Sequence, residues 1–334
     1  MADILEQRRE RTTSLLADVR SRFLAKWPSL EANTTVYVVG SAGRLEMGGG
    51  SDLDPYIVTG VGSEGSASAD GMELLSALRE SIRAAGLPDL DADGEHAEPV
   101  TAASLVGHLG DPSDDSSGAM TKRILLLLES QPLVHPEAYN RLIAACVDAY
   151  WKNEHGHEHN YLPIVLVNDI VRYWRTVLLN HESRIGVKLA KDVAGKTEDE
   201  VALRRYSSFK LRIPRCLSCF SALLYLLRLT DRDDRGVTRD QVVAMVRQTP
   251  LERLECLRGF STSVDRGIQT AKERYLEYLE IANAGKPELL RQLAKSDGPL
   301  AHRVSTCGNA FTEAIFQLVQ EVGGGRPLHR AIVV

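Results

Sequence analysis

The chain has 334 residues, 43% apolar and 25% charged, which are the proportions of a folded globular protein and not of a disordered or fibrous one. Forty Lys and Arg against forty-five Asp and Glu leave a net charge of -5, which argues against global attraction to nucleic acid or an anionic membrane but leaves room for a local basic patch. The opening MADILEQRRERTT lacks the apolar core of a signal peptide, and no later apolar run is long enough to span a bilayer, so a cytoplasmic protein without a membrane partner is expected.

At this length two domains are the better expectation. Five cysteines, Cys146, Cys216, Cys219, Cys256 and Cys307, are an odd number scattered over a long chain, the pattern of reduced thiols and not of a disulfide scaffold.

Residues 2–25 carry Ile4, Leu5, Leu15, Leu16, Val19, Phe23 and Leu24 among many charges, an amphipathic helix suited to covering a sheet. Thr35–Val39 and Asp52–Val58 are short β-rich runs, with a helical turn expected over Ser41–Glu46 between them. The Gly, Ser and Ala content of 59–70 marks a loop, and Met72, Leu74, Leu75, Leu78, Ile82 and Ala85 mark a helix ending at Gly86. A third strand is expected between Asp91 and Val100, then a short helix (Ala102–Leu109), a polar loop (Asp111–Gly118) and a buried helix over Met120–Ser130.

From Pro136 onward helical periodicity dominates: Glu137–Trp151, Pro163–Leu179, Glu198–Phe209, Pro214–Leu229, Thr238–Arg247, Leu251–Asn283 with breaks, Pro287–Lys295 and Val304–Val322. The tail from Gly323 reads as a loop. The expected class is therefore α+β: a small mixed β-sheet domain with packed helices over residues 1–135, then an all-α domain over 136–334.

The chemistry concentrates in Val36–Val58, VYVVGSAGRLEMGGGSDLDPYIV. On a strand Asp52 and Asp54 point to one face, where two carboxylates repel unless cations sit between them. A glycine at the turn after the first run lets the backbone approach a phosphate, so Gly40 and Ser41 are expected to hold the phosphates of an NTP. Asp52 and Asp54 are expected to hold Mg²⁺ (or Mn²⁺), and Arg44 to add positive charge at the phosphates.

GSAGRLEMGGGSDLD resembles the DNA polymerase β-type nucleotidyltransferase superfamily, whose pattern is Gly-Ser followed by Asp-x-Asp on the next strand. It looks most like the bacterial branch related to the uridylyltransferase that modifies the PII signalling protein, which carries Gly-Arg-Gly-Glu and then Ser-Asp-hydrophobic-Asp. Gly43, Arg44 and Glu46 fit that pattern; Leu45 replaces its usual glycine, and Pro55 interrupts the second strand, which fits an edge position. TKRILLLLESQPL, YLPIVLVNDIVRYWRT and FKLRIPRCLSCFSALLYLL are similar to segments of bacterial proteins that join such a domain to a helical one.

The resemblance implies transfer of NMP from an NTP to an acceptor hydroxyl of a protein, small molecule or nucleotide, with release of pyrophosphate. It also implies a third carboxylate, with Asp93 the first choice, Glu95 the second, and Asp91 and Glu98 the other candidates. The alternative is a catalytically inactive nucleotide-binding regulatory or interaction protein. Nucleic acid is not a favoured partner, and the acceptor, the base of the NTP and the oligomeric state stay open.

Four further signals are weaker. His155, His157 and His159 alternate but sit with Gly156 and Asn160, as a solvated turn does; Cys216 and Cys219 form a lone pair in a helical pattern, which reads as packing. Arg204, Arg205, Lys210, Arg212 and Arg215 cluster before a very apolar helix, where Lys210 and Arg212 are expected to reach the nucleotide or an anionic acceptor if the run is more than a solvated face. Asn168, Asp169, Arg172 and Arg175 interrupt an apolar helix, either lining a cleft or forming a satisfied buried network.

Overall fold

The computed structural model describes residues 3–62, 71–90, 98–152, 160–191, 198–230, 236–295 and 298–333. It is a mixed α+β structure whose chain divides into two compact units, Met1–Gly156 with Arg239–Thr249, and His157–Thr238 with Pro250–Val334.

In the first unit, α1 (Asp3–Lys26) leads to β1 (Thr35–Val39), the single turn α2 (Gly40–Gly43), β2 (Asp54–Thr59), α3 (Gly71–Ala84) and the short β3 (Val100–Thr101). Then come α4 (Ala102–Val106), α5 (Pro112–Ser116), α6 (Ala119–Leu128), β4 (Gln131–Val134) and α7 (Pro136–Tyr150). The sheet order is β3-β2-β1-β4, with β1 antiparallel to both β2 and β4, and β2 parallel to β3. Val36 and Val38 of β1 and Ile57 of β2 pack with Leu16, Val19 and Phe23 of α1 and with Leu74, Leu75, Leu78 and Ile82 of α3. The amphipathic faces of α1 and α3 thus cover one side of the sheet.

The other side carries aromatic residues. Tyr37 and Tyr56 stack at 5.4 Å between ring centroids, and Tyr139 of α7 lies 6.2 Å from Tyr37. The Tyr139 hydroxyl is 2.8 Å from that of Ser130, and His135 Nδ1 is 2.8 Å from the Thr34 carbonyl oxygen. These contacts tie α7 to the sheet, so the first unit runs past the division expected at His135. Arg239–Thr249 also returns to it; Arg239 Nε lies 3.5 Å from Asp148 Oδ1.

Two elements differ from expectation here. The polar segment Asp111–Gly118 contains a one-turn helix capped by Asp111, whose side chain accepts from the Ser113 N–H, with Pro112 at the first helical position. Its Asp114 is fully buried in a bidentate pair with Arg123, at 3.0 and 2.6 Å. Strand β4 follows directly on α6, in a sequence where Pro132 obscures the β signal.

The second unit begins with α8 (Ile164–Lys191) and α9 (Glu198–Lys210), which continues through a π-helical turn, Leu211–Arg215, into α10 (Cys216–Leu229). A break was expected before Pro214; the wider turn instead accommodates a residue that lacks an N–H and crowds the preceding carbonyl. After α11 (Arg239–Val246), which belongs to the first unit, come α12 (Pro250–Glu255), α13 (Thr262–Ala282), α14 (Lys286–Leu293), α15 (Pro299–Gly323) and α16 (Pro327–Val333). The tail is therefore helical and not a loop, with Leu328 buried.

Leu217, Leu223 and Leu224 of α10, Ile268 and Tyr275 of α13 and Phe311 of α15 are all buried, and the Tyr275 and Phe311 rings lie 6.5 Å apart. Cys216 and Cys219 are buried in α10, and burial pushes the Cys216 thiol up to about 12, which holds it neutral and suited to packing. Buried Asp169 pairs with half-buried Arg172 at 2.9 Å, while Asn168 and Arg175 are exposed. Among the described residues no helix is long and apolar enough to cross a membrane.

Candidate functional site

The turn between β1 and β2 is built on backbone geometry. Gly40 adopts φ +66°, the left-handed region open to glycine, and starts the turn α2. The turn closes with two hydrogen bonds, from the Glu46 N–H to the Ser41 carbonyl at 2.8 Å and from the Leu45 N–H to the Ala42 carbonyl at 3.1 Å. This is the paired closure of a Schellman motif, in which the residue at Leu45 takes a left-handed conformation, here φ +61°. The glycine of the resembling pattern falls at this position. Leucine there costs about 1 kcal/mol in backbone terms, offset by packing of its side chain on the core under the sheet.

Gly43 is required for another reason. A Cβ on it would lie 1.9 Å from the carbonyl oxygen of Glu129, so the turn lies directly on the end of α6. Gly43→Ala is expected to cost at least about 1–3 kcal/mol, because the obstacle is backbone; the unfolding midpoint in urea measures it.

Arg44, expected beside the phosphates, lies buried between two carboxylates: Nε is 3.0 Å from Glu46 Oε2 and Nη1 is 2.7 Å from Glu129 Oε2. Arg8 of α1 donates from Nη1 to the Glu46 carbonyl at 2.9 Å, and the Met47 N–H donates to Thr12 Oγ1 at 2.9 Å. The glycine-rich loop is thereby anchored to α1 and α6 through hydrogen-bonded ions and caps. A buried charge network of this kind fixes geometry more surely than it adds stability.

Asp52 and Asp54 are both exposed, with buried Leu53 between them, so the strand alternation holds back to Asp52 although β2 itself begins at Asp54. Asp54 pairs with Val39 across β1, directly before the turn. A Cβ on Gly40 would stand 3.0 Å from Asp54 Oδ2, which places the carboxylate against the turn backbone. Gly40 and Ser41 are half-buried and reachable from solvent. Pro55 is tolerated because β3 joins β2 only at Val58 and Thr59, leaving β2 open on that side at Pro55 among the described residues.

The face that carries Asp54 continues through Tyr56, Tyr37 and the start of α6. The Tyr37 hydroxyl donates to the Lys122 carbonyl at 3.4 Å. Burial holds the Tyr56 phenol above its ordinary range, reinforced by the Asp54 and Glu129 carboxylates, so it stays a neutral donor. Lys122 is half-buried and its ammonium titrates below the ordinary range through desolvation, an effect opposed by the nearby Glu98 carboxylate.

Of the candidates for a third acid, Asp91, Asp93 and Glu95 lie outside the described residues, as do His155, His157 and His159. Glu98 is described and exposed. Glu98 lies in a bend two residues before β3, which pairs with β2 only at Val58↔Val100 and Thr59↔Thr101, and its carboxylate acts on the Lys122 ammonium. Among the described residues no group of three or more His, Cys, Asp or Glu is placed to share a metal ion.

The basic run lies in the helical unit. Lys210 Nζ stands 5.6 Å from the Tyr206 ring centroid, and Arg212 hydrogen-bonds Asn309 of α15 through Nη2. Arg204, Arg205 and Arg212 line a cavity of about 700 Å³ between α9 and the start of α15. Comparison of the chain with protein-family models, with curated proteins and with solved structures yields no match.

Proposed function

We propose that the first unit is a nucleotidyl-transfer domain that moves NMP from an NTP to an acceptor hydroxyl with release of pyrophosphate. The observation that carries this reading is the placement of Asp52 and Asp54, exposed on one side of buried Leu53, with Asp54 Oδ2 against the Gly40 backbone. The resemblance of GSAGRLEMGGGSDLD to the polymerase β-type nucleotidyltransferases supports it.

The donor set is hard oxygen and fits Mg²⁺, which takes one or two carboxylates and completes its shell with water and substrate phosphates. When bound, the metal neutralises charge on the triphosphate and on the entering and leaving oxygens of an in-line displacement. The chain itself positions: Asp52 and Asp54 hold the metal, while the Gly40 backbone and the Ser41 hydroxyl orient the phosphates. The Arg44 ion pairs with Glu46 and Glu129 keep the turn in register with Asp54. A carboxylate at Glu98, Asp93 or Glu95 takes the proton of the acceptor hydroxyl.

Purified protein with Mg²⁺ and labelled NTPs is expected to release pyrophosphate in the presence of cell extract. Glu98→Gln is expected to lower that rate by about 10²-fold or more if Glu98 is the acid that completes the site. An unchanged rate transfers the role to the segment containing Asp93 and Glu95. A nucleotide-binding regulator without turnover is the reading favoured if NTP binds with Mg²⁺ and no pyrophosphate appears under any of these conditions.

A further inference from the structure

We infer that the cavity between α9 and α15 is a binding site for the phosphate group of a small ligand, built wholly from the helical unit. The inference does not depend on nucleotidyl transfer at Asp52 and Asp54.

Three arginines converge on the cavity from one helix face. Arg204, Ser208 and Arg212 follow at intervals of four, the spacing that stacks side chains along one side of a helix, and Arg205 and Phe209 flank them. The π-helical turn containing Pro214 begins at Leu211, so Arg212 is presented from a locally widened turn, a feature that recurs at functional sites.

Two of the guanidinium groups are held in place by neutral acceptors. Arg205 Nη1 donates to the Leu293 carbonyl at 2.7 Å and to the Lys295 carbonyl at 3.2 Å, at the end of α14. Arg212 donates to the amide oxygen of Asn309 and lies along α15 at Gly308, where a Cβ would stand 3.4 Å from its Cζ. At Arg212 the neutral amide oxygen fixes the orientation of the guanidinium without cancelling its charge, so the group can also meet a ligand oxygen. Arg204 is more exposed and sits 3.7 Å from Glu182.

On the opposite wall stand Ser305 and the first turn of α15, a helix of 25 residues that begins at Gly298 with Pro299 in its first position. Its leading N–H groups have no acceptor within the helix and carry the positive end of the helix dipole. No Asp or Glu is among the described lining residues. Guanidinium forks, hydroxyls and a helix start together match the tetrahedral oxygens of a phosphate. The volume exceeds that group alone and fits a small organic phosphate whose body rests on Phe209 and Val304.

Isothermal titration of the full chain in EDTA, so that no divalent ion supports phosphate at Asp52 and Asp54, tests the site with two probes, inorganic phosphate and phenyl phosphate. Saturable binding of either is expected, weakened about 10- to 100-fold by Arg212→Ala and about 3- to 10-fold by the exposed substitution Arg204→Gln. Tighter binding of phenyl phosphate identifies a phosphomonoester as the ligand class, and equal binding identifies free phosphate. The double substitution Asp52→Asn with Asp54→Asn is expected to leave both affinities unchanged. Absence of binding, indifference to both arginine substitutions, or loss in the aspartate variant overturns the inference.

Discussion

Asp52→Asn combined with Asp54→Asn is expected to reduce nucleotidyl transfer by about 10³-fold or more, because the proposed reaction needs a divalent metal and the carboxylates at the turn that face solvent are these two, Glu46 and Glu129 being buried on Arg44. The fold is expected to survive. Both side chains are exposed, Leu53 between them keeps its place in the core, and surface substitutions of this kind fall within about 0.5 kcal/mol. Pyrophosphate release and a thermal melt on the same preparation separate the two effects: lost activity with an unchanged melting temperature is the expected pair. A melt lowered by several degrees would assign the aspartates a structural role instead.

The largest stability effect is expected at Arg123. This residue is fully buried and bonded on every side: Nε donates to the Tyr150 hydroxyl at 2.9 Å, Nη1 to the Leu105 carbonyl at 2.7 Å, and the fork meets both Asp114 oxygens. Its guanidinium also lies 5.4 Å from the Tyr150 ring centroid. Four helices, α4 to α7, are joined through this one side chain. Arg123→Ala leaves the Asp114 carboxylate buried without its partner and opens a cavity, at an expected cost of about 3–5 kcal/mol. Asp114→Asn removes the charge but keeps the shape and is expected to cost less. Urea denaturation of the two variants checks the order; equal, small losses would show that the pair is not the joint of these helices.

Much of the site could be read from sequence because its signals are local. The two β-rich runs, the glycine turn and the alternation around Leu53 each depend on residues next to one another, and β1, β2 and the exposed aspartates follow from them. Distant partners could not be read in this way. In sequence Arg44 reads as available for a phosphate, but Glu129, 85 residues away, lies beside it, and Gly43 gains its meaning from the carbonyl of the same residue. The pattern at Leu45 departs from the expected glycine, yet the backbone there keeps the left-handed turn that glycine would favour.

The misread elements have physical causes as well. Strand β4 contains Pro132 and follows a leucine run that reads as helix, and its place in the sheet comes from pairing with β1. The segment 111–118 is polar throughout, but Asp111 and Pro112 form a helix start whose reward, the buried Asp114–Arg123 pair, lies outside the local window. Helix α7 has the periodicity of the helical unit, and distant contacts such as Tyr139 with Tyr37 and Ser130 assign it to the sheet. The basic run reads in sequence equally as a site or a solvated face, and the cavity it lines exists because α15 starts opposite it.

The most direct test of nucleotidyl transfer is mass spectrometry of a cell extract incubated with purified protein, mixed NTPs and Mg²⁺, run beside the Asp52→Asn, Asp54→Asn variant. A new species heavier than its acceptor by one NMP, accompanied by pyrophosphate and absent with the variant or with EDTA, is the predicted result. The same products from wild type and variant, or none from an NTP-bound wild-type protein, would contradict it.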